Sequence, residues 1–322
     1  MSLAHSGRRV TALAGGVGGA KLAQGLARVV PGENLTVIVN TADDFELYGL
    51  NISPDLDTVM YTLAGIANPI FGWGIDGDTQ ATLGSMKRLG ENTWFLLGDQ
   101  DFATHILRTH RLRSGESLTA ITADFARALG IGARMIPMTD QTVSTLVDTP
   151  AGRLGFQDYF VARHQSDDVT GVVFDGIDDA APAAGVIEAI GEADILVINP
   201  SNPIVSIGPI LAVPGVRAAL AESSAKRVGV SPIIGGKALK GPADKMLETL
   251  GHEVSALGIA RIYAGLLDLL VIDEQDRDLQ GAIEALGIRV LITNSIMGDA
   301  EDRERLAREI LAATEALTGV AR

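Results

Sequence analysis

Residues 10–30 read VTALAGGVGGAKLAQGLARVV, an apolar run followed by a cluster of glycines and then by helical spacing. This order predicts a buried strand, a tight turn and a helix that begins near Gly19. The glycines of the turn are Gly15, Gly16, Gly18 and Gly19. They let the backbone approach an anion, which the first N–H groups of the helix would face, and Lys21 would add a positive charge. The pattern favours a bound phosphate, and the alternative is a tight turn with no ligand.

Two familiar phosphate-binding fingerprints fail at this turn. A dinucleotide loop of the form G-x-G-x-x-G, counted from Gly16, needs a glycine at the position of Lys21. A Walker loop needs a glycine directly before the lysine, where this chain has Ala20. The first mismatch disfavours a nicotinamide-dependent dehydrogenase.

The composition indicates a globular protein with a substantial core. The chain has 322 residues, of which 47% are hydrophobic and 20% charged. Because it contains no cysteine, disulfides, thiolate metal sites and a cysteine nucleophile are excluded. Any bound metal must therefore be held by oxygen or histidine ligands.

The charge and hydropathy patterns limit the partners. A formal net charge of −14 disfavours a broad nucleic-acid-binding surface, which needs clustered lysine and arginine. A small phosphorylated ligand is compatible with this charge, because local N–H groups, cations and a metal decide such a site. No apolar run reaches the roughly 18 residues of a membrane span. Residues 1–10, MSLAHSGRRV, lack an apolar signal core, and we expect a cytoplasmic protein with no membrane partner.

Short apolar, β-branched runs alternate with segments of helical spacing along most of the chain. The predicted strands are RRVTALAG, LTVIVN, TWFLLG, ARMIPMT, TGVVFDG, ADILVINP, KRVGVSPII, LDLLVIDE and IRVLITNS. Uniformly apolar strands that alternate with helices indicate a parallel sheet covered on both faces. The predicted fold class is therefore α/β, with a doubly wound, mainly parallel, Rossmann-like sheet.

Two stretches interrupt this alternation. Residues 56–129 contain the single predicted strand TWFLLG and otherwise read as consecutive helices, so we expect a small, largely helical insertion. Residues 144–161 show two β-rich arms about a Pro-Ala-Gly turn, which predicts an antiparallel hairpin. The predicted organisation is an α/β core over residues 8–55 and 130–322, interrupted by the insertion at 56–129.

An acidic cluster follows the second predicted strand, at the sheet edge where ligands bind in open α/β folds. Its carboxylates are Asp43, Asp44, Asp55 and Asp57. Such a cluster repels itself unless the carboxylates are solvated, cap helices or share a cation. We select Asp44 and Asp57 as catalytic residues that share a Mg²⁺ ion. The alternatives are that Asp57 caps a helix starting at Thr58 and that Asp43 faces water.

The end of TWFLLG carries a second set of polar residues. Asp99 leaves the predicted strand, and His105 follows on a predicted helix, within a helical turn of Asp101. His105 is either a site residue or a hydrogen-bonded structural histidine.

Two later strand ends offer further anion contacts. Ser201 and Asn202 follow ADILVINP and supply donors suited to a phosphate or a nucleobase edge, unless the adjoining prolines simply make a rigid loop. Ser231 and Gly235 follow the next strand beside several lysines, which suggests a second anion contact. The alternative is that these lysines only keep the loop soluble.

Six motifs in this order resemble one known family. They are GGVGGAKLAQGL, NTADDFELYGLNISPDLDT, LGDQDFATHILR, FQDYFV, SNPIVSIGPIL and VSPIIGGKALKGPADKM, which span residues 15–246. The chain closely resembles the 2-phospho-L-lactate transferase family of coenzyme F-420 biosynthesis. Each motif alone is weak, but the ordered set is highly specific.

The resemblance implies a Mg²⁺-dependent transfer from a guanosine diphosphate-activated acid, either lactyl-2-diphospho-5′-guanosine or its enolpyruvyl counterpart. The acceptor would be 8-hydroxy-5-deazariboflavin, the deazaflavin riboside Fo. Its terminal ribityl hydroxyl attacks the phosphorus nearest the acid, GMP leaves, and coenzyme F-420-0 or its dehydro form results. The resemblance also suggests a homodimer.

Roles follow from the same resemblance. Residues 15–19 and the Ser201-Asn202 loop would hold the donor, assisted by Lys21, and the second anion contact at Ser231 and Gly235 would serve the same ligand. Asp44 and Asp57 would hold Mg²⁺ or orient the ribityl hydroxyl. The acceptor-binding residues would be Asp57, Leu96, Asp99 and His105, with the Phe95-Leu96 stretch packing against the tricycle. Leu96 stands where other family members have lysine.

One alternative function shares the fold. Related proteins are non-catalytic regulators that bind a nucleotide sugar, and these would keep the glycine turn. They need not keep Asp44 and Asp57 or the run GDQDFATH, so the presence of both favours the enzyme. The donor acid itself, whether lactate, enolpyruvate or glycerate, stays open.

Overall fold

Seven parallel strands form the central sheet, and the computed structural model describes residues 7–319. The strands of the protein are β1 (Val10–Ala14), β2 (Leu35–Val39), β3 (Phe45–Leu47), β4 (Leu50–Ile52), β5 (Arg134–Pro137), β6 (Ser144–Thr149), β7 (Gly152–Gly155), β8 (Gly171–Asp175), β9 (Ile195–Ile198), β10 (Lys226–Val230), β11 (Ile233–Ile234), β12 (Lys237–Ala238), β13 (Leu269–Asp273) and β14 (Arg289–Thr293). The central sheet has the order β14-β13-β10-β9-β1-β2-β5. Its strand β1 lies between β2 and β9, so the chain reverses its direction of winding there.

Helices cover both faces of this sheet. The helices of residues 7–319 are α1 (Gly16–Val29), α2 (Pro54–Leu63), α3 (Ala81–Arg88), α4 (Asp99–Arg113), α5 (Leu118–Ala128), α6 (Val186–Gly191), α7 (Ile207–Ala212), α8 (Val216–Glu222), α9 (Ala243–Thr249), α10 (Ala256–Ile262), α11 (Gln280–Glu284) and α12 (Ala300–Glu315), and α3 lies apart from the sheet. In β1, Val10 and Ala12 pack into the core on one face and Leu13 into the core on the other. Burial on both faces explains why the inner strands are mostly apolar, and the predicted doubly wound α/β fold class is confirmed.

Helices dominate the predicted insertion, since α2, α3, α4 and α5 span most of residues 54–128. The predicted domain boundaries stay a prediction, and residues 1–6 and 320–322 of the sequence-based assignments lie outside the described residues. The predicted strand TWFLLG is wrong, because residues 93–98 form no strand. Within this segment Leu97 is buried and Leu96 is exposed, and the Phe95 ring packs edge-on against Phe45 of β3, at 5.0 Å between centroids.

Small antiparallel sheets lie outside the central sheet. The predicted hairpin is present as β6 and β7, but its second arm ends at Gly155 and a π-helical turn follows at Asp158–Ala162. The run GVVFD is a strand, β8, but it pairs antiparallel with β6 and so lies outside the parallel sheet. Helix α1 begins at Gly16, three residues before the predicted start, and Gly16 adopts a φ of 60° that glycine tolerates.

Helix α1 packs closely against α12 through a glycine. A Cβ built on Gly25 would lie 2.1 Å from the backbone oxygen of Arg303. Alanine favours a helix over glycine by about 1 kcal/mol, but the contact at Gly25 leaves no room for its methyl group.

We predict that Gly25→Ala lowers the free energy of unfolding by about 1–3 kcal/mol, because the two helices must separate. Gly84→Ala in α3 is the matched control, since its new Cβ would meet only the Arg88 side chain, at 3.8 Å. We expect this control to gain up to about 1 kcal/mol. Urea unfolding of both variants makes the comparison, and equal stabilities would contradict the packing argument.

Candidate active site at the carboxyl edge of the sheet

A cavity of about 780 Å³ opens at the carboxyl ends of β1 and β9. Gly15 and Gly18 line it directly after β1, and Ser201 lines it after β9. These two strands are where the winding of the sheet reverses, which is where open α/β folds bind ligands. Its volume is within the usual range for small-molecule sites.

Packing within the chain requires glycine at positions 18 and 19, after β1. A Cβ on Gly18 would lie 2.3 Å from the backbone oxygen of Pro200, and one on Gly19 would lie 2.3 Å from Ser201 Oγ. The Ser201 hydroxyl donates to the backbone oxygen of Gly15 at 2.8 Å and accepts its N–H at 3.1 Å. Hydrogen bonds therefore hold the loop after β9 against the start of α1. This close contact explains why glycines are needed there, whether or not a ligand binds.

A carboxylate already binds at the start of α1. The N–H of Gly16 donates to Asp55 Oδ1 at 2.8 Å, and Asn40 Nδ2 donates to Asp55 Oδ2 at 2.9 Å. Burial raises the pKa of Asp55 to about 6, although these two donors act to lower it. Sequence reasoning placed Asp55 in the acidic cluster but did not select it. Its position two residues before Asp57 was the available signal.

Two neighbouring carboxylates have unpartnered oxygens. Among residues 7–319, no hydrogen-bond donor is placed to bond Oδ1 of Asp43 or Oδ1 of Asp44, and both atoms are buried. Asp44 Oδ2 accepts a hydrogen bond from Ser53 at 2.6 Å. Burial raises the pKa of both carboxyls well above the usual range, and the charge of Asp55 adds to the rise. Unsatisfied, buried carboxylate oxygens of this kind fit a Mg²⁺ ion.

Asp57 has a different environment. It lies in the first turn of α2, which begins at Pro54, so it does not cap a helix starting at Thr58. Arg108 Nη1 donates to Asp57 Oδ2 at 3.1 Å, and Arg108 Nη2 donates to Asp57 Oδ1. Both residues are buried, but only Asp57 lines the cavity.

His105 lies between two carboxylates. Its Nδ1 is 3.6 Å from Asp57 Oδ2, and its Nε2 is 3.4 Å from Asp101 Oδ1 without hydrogen-bond geometry. Asp101 Oδ1 also accepts a hydrogen bond from the Tyr61 hydroxyl at 2.7 Å. One ligand atom from each of Asp57, Asp101 and His105 lies within 4.8 Å of the others, so this group is a second place where a metal could bind.

Other predicted site residues have partners within the protein. Lys21 lines the cavity, but its ammonium donates to the backbone oxygen of Met297 at 2.8 Å. The Asn202 side chain accepts the N–H of Ile204 at 2.9 Å and also lines the cavity. Ser231 lines it as well, and its hydroxyl donates to the backbone oxygen of Ile233.

Four predicted residues do not line the cavity: Asp44, Gly19, Asp99 and Gly235. Asp99 accepts the N–H groups of Ala81 and Thr82, at 3.0 and 2.8 Å, and so caps α3. A hydrogen bond from the Thr79 hydroxyl is the main cause that lowers the pKa of Asp99. The N–H of Gly235 donates to Asp276. Asp99 and Gly235 therefore have roles within the fold.

Aromatic walls that the sequence analysis did not identify also line the cavity. Phe71 and Trp73 stack at 5.3 Å between centroids, and Phe156 and Phe160 stack at 5.5 Å. Leu96 also lines the cavity and is 47% exposed. In the sequence, the run FGWG at residues 71–74 was the available indication of the Phe71-Trp73 pair.

Comparison with known proteins identifies the family. Residues 10–310 match the family model described as 2-phospho-L-lactate transferase CofD. The chain belongs to the CofD family. A phosphoenolpyruvate transferase from Kitasatospora aureofaciens is 45% identical over 95% of this chain and 98% of that protein. A 2-phospho-L-lactate transferase from Methanosarcina acetivorans is 44% identical over 93% of this chain and 97% of its own length.

The fold of this CofD-family chain also occurs in a solved structure. The crystal structure of a UPF0052-family protein from Bacillus halodurans covers 94% of this chain and 99% of its own, with a TM-score of 0.61 at 15% identity. That identity supports a common fold alone. The family resemblance predicted from the sequence is thus confirmed, and no helix within residues 7–319 is both long and apolar enough to cross a membrane.

A lysine of the cavity lining, Lys240, forms hydrogen bonds with the segment that carries Phe71 and Trp73. Lys240 Nζ donates to the backbone oxygens of Phe71 and Ile70, at 2.9 and 3.4 Å. We predict that Lys240→Met speeds chymotrypsin cleavage after Phe71 and Trp73 several-fold, because the segment loses this tie and opens more often. Mass spectrometry of the fragments measures the rate. Lys237→Met, at an exposed lysine of β12 three residues earlier in the chain, is the control, and equal rates in the two variants would contradict the prediction.

Proposed function

We propose that this chain transfers a phospholactyl or phosphoenolpyruvyl group from a guanosine diphosphate-activated acid to the ribityl hydroxyl of Fo, with release of GMP. One observation carries the proposal: in a chain of this family, a single cavity joins the glycine turn, buried carboxylates and aromatic walls. A phosphoryl-type transfer needs positioning and charge neutralisation more than it needs a protein nucleophile. This cavity offers the groups for both tasks.

The donor would lie at the β1 and β9 edge. Residues 15–18, with Ser201 and Asn202, would contact its phosphates, and Lys21 would leave the Met297 oxygen to approach them. The flat acceptor would pack against Leu96 and the aromatic walls. Since Asp99 caps a helix outside the cavity lining, the proposal gives it no contact with the acceptor.

Asp44 and Asp57 would hold Mg²⁺, and the buried, unpartnered Oδ1 of Asp44 supports this assignment. The negative charges of Asp55 and Asp57 act on Asp44, so these carboxylates form one electrostatic group. When bound, Mg²⁺ neutralises charge on the transferring phosphorus group. Asp57 would also accept a hydrogen bond from the ribityl hydroxyl and so aim it at phosphorus. In the transfer, the bond from the ribityl oxygen to phosphorus forms, the bond from phosphorus to the GMP oxygen breaks, and the hydroxyl proton passes to solvent.

The donor acid is tested directly by product mass. Purified protein, Fo and Mg²⁺ are incubated with the guanylylated form of lactate, enolpyruvate or glycerate, and the products are identified by mass spectrometry. The named relatives include both a phosphoenolpyruvate and a phospholactate transferase at almost equal identity, so identity alone does not choose. Binding without turnover in every mixture would favour the regulator. Light scattering tests the proposed homodimer.

We predict that Asp57→Asn lowers kcat by about a hundredfold or more, because the metal and the hydroxyl both lose a charged oxygen partner. The variant should remain folded, since asparagine keeps one oxygen for Arg108, but it should melt at a lower temperature. The control is Asp124→Asn, which removes an exposed carboxylate that pairs with Arg111 and Arg127 in the insertion. Near-normal turnover in Asp57→Asn would remove the assignment of Asp57.

A further inference from the structure

Arg108 is among the largest fully buried side chains of the protein, yet it does not line the cavity. It lies in α4 on the same face as Asp101 and His105, at helical spacings of seven and three residues. That face packs against α2, where Asp57 and Tyr61 are four residues apart. Polar pairs therefore join the two helices, Arg108 with Asp57 and Asp101 with Tyr61.

The interaction between Arg108 and Asp57 is bidentate. Nη1 donates to one carboxylate oxygen and Nη2 to the other. The last torsion of an aspartate side chain is broad, so one hydrogen bond would leave its carboxylate free to turn. A planar guanidinium that contacts both oxygens fixes the carboxylate plane as well as its charge. The remaining lone pairs of Asp57 then point in fixed directions.

We propose that Arg108 is a positioning residue, which sets the direction in which Asp57 presents its carboxylate to the cavity. This inference rests on the proposed role of Asp57. Arg108 acts through Asp57 because it lacks cavity contact of its own. It is itself held by its place between α2 and α4 and by His105, whose Nδ1 is 3.4 Å from Nη1.

Packing alone does not account for this pair. Burying two charged groups costs free energy that their attraction only partly returns, and apolar side chains of similar size often serve equally well between helices. The protein contains a comparable pair away from the cavity: Arg227 donates to Asp268 through Nη2 at 2.7 Å and through Nε at 3.2 Å, and Arg227 is buried. Substitution in that pair is a control for how much the protein's stability falls when a bidentate arginine–aspartate interaction is lost.

The test uses Arg108→Lys, which keeps the charge and removes the fork. We predict that kcat falls by about 10- to 100-fold, with KM for donor and acceptor changed less than about threefold, since the lysine contacts only one oxygen. The affinity of the substrate-free protein for Mn²⁺, measured by electron paramagnetic resonance, should fall by a factor in the same range. Arg227→Lys should lower the melting temperature to a similar degree and leave kcat and Mn²⁺ affinity unchanged.

Asp57→Glu is the second variant, and it tests the positioning inference if Arg108→Lys does not fold. It retains the charge and the arginine but moves the carboxylate by one methylene, and it should also lose at least about tenfold in kcat. Wild-type kcat and Mn²⁺ affinity in Arg108→Lys, or wild-type kcat in Asp57→Glu, would overturn the inference.

Parallel assay of Asp57→Asn separates this inference from the proposed function. If Asp57→Asn is inactive while Arg108→Lys is normal, only the positioning role fails. If Asp57→Asn is normal while Arg108→Lys is impaired, Arg108 acts independently of Asp57 and the inference is overturned. If both are normal, the proposed role of Asp57 fails together with the inference.

Discussion

Buried negative charge is the constraint around which the active edge of this protein is organised. The carboxylates concerned are Asp43, Asp44, Asp55, Asp57 and Asp101. A buried carboxylate without partners costs several kcal/mol, so each must find donors, a cation or a proton. The N–H of Gly16 and the amide of Asn40 satisfy Asp55, and Arg108 satisfies Asp57. The elements of this edge are thus joined by polar contacts as much as by apolar packing.

The parallel sheet could be predicted from the sequence because its signal is local. The inner strands β1, β9 and β13 are buried along their whole length and are mostly apolar, and the polar residues directly after them mark the carboxyl edge. The same rule failed at residues 93–98, because apolar composition reports burial and says nothing about backbone partners. There, Phe95 packs on Phe45 and Leu97 is buried without any strand pairing, while Leu96 is exposed.

The contacts that shape the site were harder to predict, because they join distant parts of the chain. Arg108 and Asp57 are 51 residues apart, and neither helix pattern indicates the partner of the other. The glycine turn presented the opposite difficulty. Its pattern was clear, but both phosphate binding and close packing of the chain can produce it. Gly18 and Gly19 are small because the loop after β9 lies against them, so glycine content alone overstated the evidence for a phosphate.

The start of α1 shows how these constraints act together on an anionic ligand. Its first N–H already binds Asp55, so the helix has less positive potential to offer than a bare N-terminus would. The cavity is lined by the carboxylates Asp43, Asp55, Asp57 and Asp101 and, among the described residues, by only two lysine or arginine side chains, Lys21 and Lys240. Both ammonium groups donate to backbone oxygens. Two lysines cannot offset four carboxylates and a diphosphate, which is why the proposed function includes a divalent cation at this edge.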